Sequence, residues 1–166
     1  MSRRLASLSL ALLLTAAATD AAARSEDRNQ PLELDAETTD GFLTDDGQTT
    51  FAGNVSATQG TLRINADNAV VTMRAGDIAR VVLTGNPARM RQEDDQGQPM
   101  DARARRVDYD LTTDQIVFTG GVEIVQPRGT LRGERVFYDM ATSRVNAGQS
   151  GERVRMVIQP RAAQDN

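Results

Sequence analysis

Apolar and polar residues alternate one by one along most of this 166-residue chain. The apolar positions of the alternating runs are Leu32, Leu34 and Ala36, then Phe51, Val55 and Ala57, Leu62 and Ile64, Val107, Tyr109 and Leu111, Val122 and Ile124, Val136 and Tyr138, and finally Val154, Met156 and Ile158. A period of two over about four to eight residues is typical of a half-buried β-strand. Turn residues such as Asp46-Gly47 and Asn86-Pro87 separate the runs. The pattern therefore predicts an all-β fold of many short strands.

The chain also repeats itself. Residues 51–55 (FAGNV) resemble residues 118–122 (FTGGV), and residues 60–63 (GTLR) reappear as residues 129–132. Returning strands are expected to end at Gly53, Gly85, Gly120 and Gly148. A period of about 30 residues in an all-β chain indicates stacked units that share one interior.

The alternation changes phase at Arg105-Arg106. Ala102 and Ala104 share one parity, whereas Val107 and Tyr109 share the other. A β-bulge or corner at this point would turn the strand from one face to the other.

The first 23 residues have the pattern of a signal peptide. Arg3 and Arg4 precede an uncharged apolar stretch from Leu5 to Ala18, and Ala21 to Ala23 supply small residues for cleavage. A membrane-spanning helix needs about 20 apolar residues, more than this stretch has, so an uncleaved anchor is the less favoured alternative. We expect a signal peptide at 1–23, one domain at 24–160 and a disordered tail at 161–166.

Composition restricts the chemistry. The chain has no His and no Cys, so Ser-His-Asp or Cys-His catalysis is impossible and the soft metal ligands are missing. The formal net charge of −4 argues against a nucleic-acid binder. No catalytic residue, metal or cofactor is predicted, and an enzyme is the least expected class of protein.

The inward positions are mostly Val, Leu, Ile, Ala and Met. Such an interior is either a filled core or an apolar slot between sheets that holds acyl chains, with each buried CH₂ contributing about 0.8 kcal/mol. Both alternatives remain open from the sequence.

Three segments resemble a known family. Residues 30–36 (QPLELDA), 51–55 (FAGNV) and 59–67 (QGTLRINAD) are similar to the OstA-like family of periplasmic bridge proteins in lipopolysaccharide transport. Residues 85–88 (GNPA), 109–111 (YDL) and 118–120 (FTG) continue the resemblance, which spans roughly residues 30–160. It implies an open, twisted β-jellyroll of about sixteen short antiparallel strands.

The resemblance also implies a function. The protein would hold the lipid A acyl chains of lipopolysaccharide in a groove between two β-sheets, and carry the lipid across the periplasm to the outer membrane. Implied partners are the inner-membrane transport complex at the N-terminal edge, the outer-membrane assembly protein at the C-terminal edge, and further copies joined head to tail. Open sheet edges, which pair readily with other chains, fit this expectation.

The resemblance places the candidate sites by position. The predicted lipid-binding residues are Leu32, Leu34, Phe51, Val55, Leu62, Ile64, Met90, Val107, Tyr109, Leu111, Phe118, Val122 and Leu131. The predicted partner edges lie at about residues 32–37 and 153–159, with Leu32, Leu34, Ala36, Val154, Met156 and Ile158 as contacts. Arg28, Arg89 and Arg103 are candidates for meeting lipid phosphates, although a solvated surface is the favoured explanation for them.

Two other interpretations remain. One is a membrane-anchored sister component of the same pathway, which would keep its N-terminal helix. The other is a structural β-repeat scaffold with a filled core and no ligand, which a test for an internal cavity would separate from a carrier.

Overall fold

The computed structural model describes residues 27–41, 44–94, 96–148 and 151–160. The predicted signal peptide at 1–23 and the predicted tail at 161–166 lie outside these ranges. A short 3₁₀ helix at Asp27–Asn29 precedes ten strands: β1 Glu33–Asp35, β2 Thr38–Gly41, β3 Gly47–Gln59, β4 Leu62–Arg74, β5 Asp77–Glu93, β6 Pro99–Asp110, β7 Gln115–Gln126, β8 Gly129–Asp139, β9 Arg144–Ala147 and β10 Arg155–Ile158. Within the described ranges, no helix has the length and apolar character to cross a membrane.

The strands form one antiparallel sheet. Its order is β1-β3-β4-β5-β6-β7-β8-β10, with β2 also paired to β3 and β9 also paired to β8. The prediction of an open, antiparallel, all-β fold is confirmed. The described residues form ten strands instead of the expected sixteen, because the six central strands run on where short strands would have ended.

The central strands continue because each of the five pairings between neighbouring central strands passes through a bulge. The pairing register shifts after Ala52 in β3, Asn65 in β4, Thr84 in β5, Arg103 in β6 and Thr119 in β7. The shift after Arg103 confirms the predicted corner at Arg105-Arg106. Bulges bend a strand and sharpen its twist without ending it.

The expectation that strands end at the repeated glycines was wrong at three of the four positions. Gly53, Gly85 and Gly120 lie inside strands at the row of bulges, whereas Gly148 directly follows β9. Gly53 and Gly120 have positive φ angles of 81° and 90°, which glycine adopts without strain and which allow the chain to kink and continue.

The row of bulges divides the sheet into two layers. Layer 1 consists of β2, β9 and residues 47–52, 68–74, 77–84, 106–110, 115–119 and 135–139. Layer 2 consists of β1, β10 and residues 55–59, 62–66, 88–93, 99–104, 122–126 and 129–133. Inward side chains from both layers form one core cluster. The hairpin turns farthest from the bulges form the two lips of the gap between the layers, which we call the slit.

Candidate functional site

All of the predicted lipid-binding residues face the interior between the layers. Val55, Leu62, Ile64, Met90, Val107, Tyr109, Phe118 and Val122 are fully buried in the core cluster. Leu32, Leu34, Phe51, Leu111 and Leu131 are partly buried and pack against it. The resemblance, together with the alternation, therefore assigned these residues to the inward face correctly, while the lipid contacts remain a prediction.

The middle of the interior is filled. Leu83, Val107 and Phe118 have no exposed surface, and Tyr109 is 2% exposed. Interiors packed at this density hold few voids larger than a water molecule. Acyl chains could enter the middle only if the two layers separate.

The interior is open at its C-terminal end. A cavity of about 300 Å³ lies between the layers, with Val145 from layer 1 and the remaining lining residues from layer 2 and the turn before β8. The lining residues are Ile124, Gln126, Arg128, Gly129, Leu131, Val145, Met156 and Ile158. Apolar side chains dominate the wall, so the cavity suits a hydrocarbon chain.

Only Leu131 of the predicted lipid-binding residues lines this cavity. Met156 and Ile158 were predicted as partner contacts, and Ile124, Gln126, Arg128 and Val145 were not singled out. Ile124 continues the inward alternation of Val122, so its position could be inferred from the sequence. The place where the interior stays open depends on the last pairing of the sheet, which alternation does not reveal.

A polar hollow of about 500 Å³ adjoins the apolar cavity. Its lining includes Gln96, Gln98 and Pro99, and it shares Gln126 and Arg128 with the cavity. The described residues form no ion pair with Arg128. The hollow is lined by amides, the Arg128 guanidinium and the Asp94 carboxylate. An apolar chamber that adjoins such a hollow matches an amphiphile with a polar head.

The N-terminal end is closed by polar contacts. The 3₁₀ helix lies across the slit, where Arg28 Nη1 donates to Asp114 Oδ2 at 2.8 Å and Asp27 Oδ2 accepts from the Thr61 hydroxyl. Asp114 belongs to the β6–β7 turn beyond layer 1, and Thr61 to the β3–β4 turn beyond layer 2. We call this bridge between the lips, together with the hydrogen bonds of Gln59, the clasp.

Gln59 connects the clasp to the core. Its Nε2 donates to the carbonyl oxygens of Arg28 at 3.3 Å and Gln30 at 3.1 Å. Its Oε1 accepts from the buried Tyr109 hydroxyl at 3.0 Å. Burial, with a smaller effect of the Asp114 carboxylate, raises the pKa of Tyr109 to about 12. The phenol therefore remains a neutral donor at physiological pH.

The outward face of the sheet carries cross-strand ion pairs. Arg80 contacts Asp108 at 2.5 Å, and Arg103 and Arg132 both pair with Glu123. Burial acts to raise the pKa of Asp108, but the hydrogen bonds from Arg80 and Arg106 outweigh it and lower that pKa. The Asp108 side chain is on the outward face but only 14% exposed, because the two arginines cover it.

The three arginines considered for lipid phosphates lie in different surroundings. Arg28 is paired with Asp114, and Arg103 shares Glu123 with Arg132, so each already has a carboxylate partner. Arg89 lines shallow surface hollows on the outward face of layer 2. Arg128 at the C-terminal cavity was missed, because its charge alone does not distinguish it from other surface arginines.

The two predicted partner edges are at opposite ends of the sheet. Leu34 lies in β1, while Leu32 and Ala36 flank this strand, which pairs with β3. Met156 and Ile158 lie in β10, paired to β8, and are 62% and 69% exposed, whereas Val154 precedes the strand. Each edge strand has one side without a pairing strand among the described residues.

Taken together, the bent sheet and its open end define a class of protein: a β-jellyroll with an apolar interior and unpaired edges. Residues 33–144 match the family model described as "LptA/(LptD N-terminal domain) LPS transport protein". The chain belongs to this family.

Curated relatives agree with this assignment. The chain is 34% identical to the lipopolysaccharide export system protein LptA of Escherichia coli strain K12 over 95% of this chain and 86% of that protein. It is 30% identical to LptA of Haemophilus influenzae, over 87% of this chain and 86% of the relative. Both relatives are named as export proteins.

A solved structure matches the fold. The crystal structure of LptH from Pseudomonas aeruginosa covers 81% of this chain and 99% of its own, with a TM-score of 0.73 and 26% sequence identity. LptH is the LptA-homologous periplasmic component of the lipopolysaccharide transport device in that organism.

Proposed function

We propose that this protein binds lipopolysaccharide through its acyl chains and carries it across the periplasm to the outer membrane. Membership of a family of lipopolysaccharide transport proteins supports the substrate class. The observation that carries the binding mode is the apolar cavity between the layers, with Arg128 at its rim. Acyl chains would enter at this open end and separate the layers along the filled middle.

The chemistry of the cavity fits this ligand. Ile124, Leu131 and Met156 offer apolar surface to a hydrocarbon chain. Arg128 would stand beside the phosphorylated sugar, because a guanidinium forms bidentate hydrogen bonds with phosphate oxygens. The sugars would remain in water at the slit.

The charges on the two edges support head-to-tail assembly. The N-terminal edge carries Glu33, Asp35 and Glu37, whereas the C-terminal edge carries Arg153 and Arg155. Opposite charges on the two edges favour pairing of one copy's β10 with the next copy's β1. Such an assembly would line up the interiors of successive copies into a bridge, with an inner-membrane complex at its N-terminal end and an outer-membrane assembly protein at its C-terminal end.

A periplasmic location is supported by the likeness to LptH, a periplasmic component, and by the signal-peptide pattern. The alternative of an anchored sister component would retain the N-terminal stretch. Mass spectrometry of the protein from the periplasmic fraction distinguishes the two: a mature chain that starts near residue 24 supports the bridge protein.

The binding mode is tested with purified protein and fluorescent lipopolysaccharide. Leu131→Asp places a charge on the inward face of β8, whereas the control Thr130→Asp places it on the outward face. Losing the burial of a Leu side chain is expected to weaken binding by about 10-fold or more. Thr130→Asp should bind within about twofold of the wild type, because the half-buried Thr130 side chain lies on the outward face and does not line the cavity.

A specific observation favours a second candidate function. The filled middle of the interior is what a ligand-free β-repeat scaffold would have. Absence of lipopolysaccharide binding by the folded wild-type protein would favour the scaffold and contradict the carrier.

A further inference from the structure

Three glutamines occupy equivalent positions along the lip of layer 2. Gln59, Gln92 and Gln126 are 33 and 34 residues apart and each lies at or next to the last residue of its strand. Each shares the inward parity of its strand, following Ala57, Met90 and Ile124 respectively. We call these three residues the glutamine row.

The row follows the slit from its closed end to its open end. Gln59 pairs with Leu62 across one hairpin, Gln92 with Met100 across the next, and Gln126 with Gly129 across the third. Successive glutamines are therefore two strands apart, about 10 Å along the sheet. Polar amides thus alternate with apolar residues or glycine where the interior meets water.

Gln59 illustrates the chemistry that such a position accommodates. Its amide binds two backbone carbonyls of the N-terminal segment and the Tyr109 hydroxyl. The partners are amide carbonyls for Nε2 and a hydroxyl donor for Oε1. Backbone of the N-terminal segment therefore lies across the glutamine row at its closed end. A ligand that carries amide groups would lie across the rest of the row in the same way.

Gln92 lacks such a partner. Its side chain is 4% exposed, and Oε1 has no hydrogen-bond partner among the described residues. A buried acceptor without a donor costs free energy that a satisfied one does not. Gln126 follows at the open end, where its exposed side chain lines both the apolar cavity and the polar hollow.

We infer that Gln92 and Gln126 hydrogen-bond the linkage region of a bound glycolipid, where amide, ester and hydroxyl groups join acyl chains to sugar. The inference rests on the proposed function and names the residues that bind this part of the ligand. Acyl chains that lie between the layers and sugars that lie in water place the linkage region at the lip. There the glutamines supply both a donor and an acceptor, as Gln59 donates to the N-terminal segment and accepts from Tyr109.

The test uses the double variant Gln92→Met and Gln126→Met, since Met keeps the length of the side chain and removes the amide. Binding is measured for lipopolysaccharide and for palmitate, whose single chain lacks amide and ester linkages. Gln115→Met is the control, because Gln115 lies on the outward face of β7. Thermal unfolding of Gln92→Met is measured in parallel.

The double variant should bind lipopolysaccharide about 10-fold more weakly, the loss of about two net hydrogen bonds. Palmitate affinity and the control should stay within about twofold, and Gln92→Met should unfold at the same or a higher temperature because an unsatisfied amide is removed. A residue with a purely structural role would instead lower stability and both affinities together.

Unchanged lipopolysaccharide affinity in the double variant, or an equal loss for palmitate, would overturn this inference and leave the proposed function standing. A folded wild-type protein that binds no lipopolysaccharide would overturn both.

Discussion

The two ends of the sheet differ, because the N-terminal end is closed and the C-terminal end is open. At the N-terminal end, buried polar groups join the lips of the slit, with Asp27 5% exposed and Gln59 4% exposed. At the C-terminal end, Met156 and Ile158 leave most of their surface in water beside an open cavity. The same repeated segment, GTLR, lies at both ends, beginning at Gly60 and at Gly129.

The glycines of this repeat allow both terminal segments to approach. A Cβ on Gly60 would lie 2.1 Å from Asp27 Oδ1, and a Cβ on Gly129 would lie 2.2 Å from the Val157 carbonyl oxygen. One glycine therefore admits the clasp and the other admits the edge strand. Gly60 and Gly129 thus occupy equivalent positions in the repeat, one at the closed end and one at the open end. The difference comes from the segment that packs against each glycine, the 3₁₀ helix at Gly60 and β10 at Gly129.

The largest expected effect is a loss of stability when the hydrogen bonds of Gln59 in the clasp are removed. Gln59→Leu leaves the Tyr109 hydroxyl and two carbonyls without their partner, which should reduce the free energy of unfolding by about 2–4 kcal/mol. Gln126→Leu, the equivalent change at the open end, should alter it by about 0.5 kcal/mol or less because that side chain is exposed. Urea denaturation of both variants measures the contrast. Equal effects would remove the distinction between the two ends.

The next effect concerns assembly. Gly129→Ala should displace β10 from β8, because the new methyl group cannot occupy the position of the Val157 carbonyl. Self-association, followed by analytical ultracentrifugation over a range of concentrations, should weaken by about 10-fold or more, the consequence of losing one ordered edge strand. Gly133→Ala is a matched control on the same strand, where a Cβ would make only ordinary contacts, with Val136 at 3.8 Å and Val154 at 3.9 Å. Assembly that persists in Gly129→Ala would exclude β10 as the contact strand.

The free energy of unfolding should depend on pH through Tyr109, which is hydrogen-bonded to the clasp at the closed end. Burial raises the folded-state pKa of Tyr109 from 10 to about 12, so the unfolded chain ionises first as pH rises. The stabilisation by the neutral phenol is complete below pH 10 and is lost as pH rises through about 12. Urea titrations of wild type and Tyr109→Phe on both sides of pH 10 should therefore converge as pH increases. Parallel losses in the two proteins would assign alkaline unfolding to other groups.

The smallest effect is expected for the outward ion pairs, which belong to neither end. Arg132→Gln removes one of the two partners of Glu123, and exposed pairs contribute about 0–1 kcal/mol. Thermal unfolding at low and high salt should differ little between the variant and the wild type. A loss comparable to that of Gln59→Leu would mean that the charged face, instead of the clasp, holds the layers.

Alternation in the sequence predicted most of the fold. It assigned Val107, Tyr109 and Val122 to the interior, and its change of phase located the corner at Arg105-Arg106. The glycine repeat was misread, because Gly53 and Gly120 were expected to end strands and instead let strands bend and continue.

The candidate site was harder to predict than the fold. The open cavity depends on how far β9 and β10 cover the last hairpin, and this pairing over a long sequence distance leaves no periodic signal. The clasp was also missed, since Asp27, Thr61 and Asp114 are distant in the chain and come together only when both lips form. Arg128 was missed for the same reason, because only the fold places it between the apolar cavity and the polar hollow.

The central claim is that acyl chains lie between the two layers and reach the C-terminal opening. Site-specific photo-crosslinking in cells that make lipopolysaccharide tests it directly, with probes at the inward positions Tyr109 and Leu131 and at their outward neighbours Asp108 and Thr130. Lipopolysaccharide adducts are expected at 109 and 131, and none at 108 or 130. Adducts at the outward positions alone, or none at any position in a protein that is exported and folded, would contradict the claim.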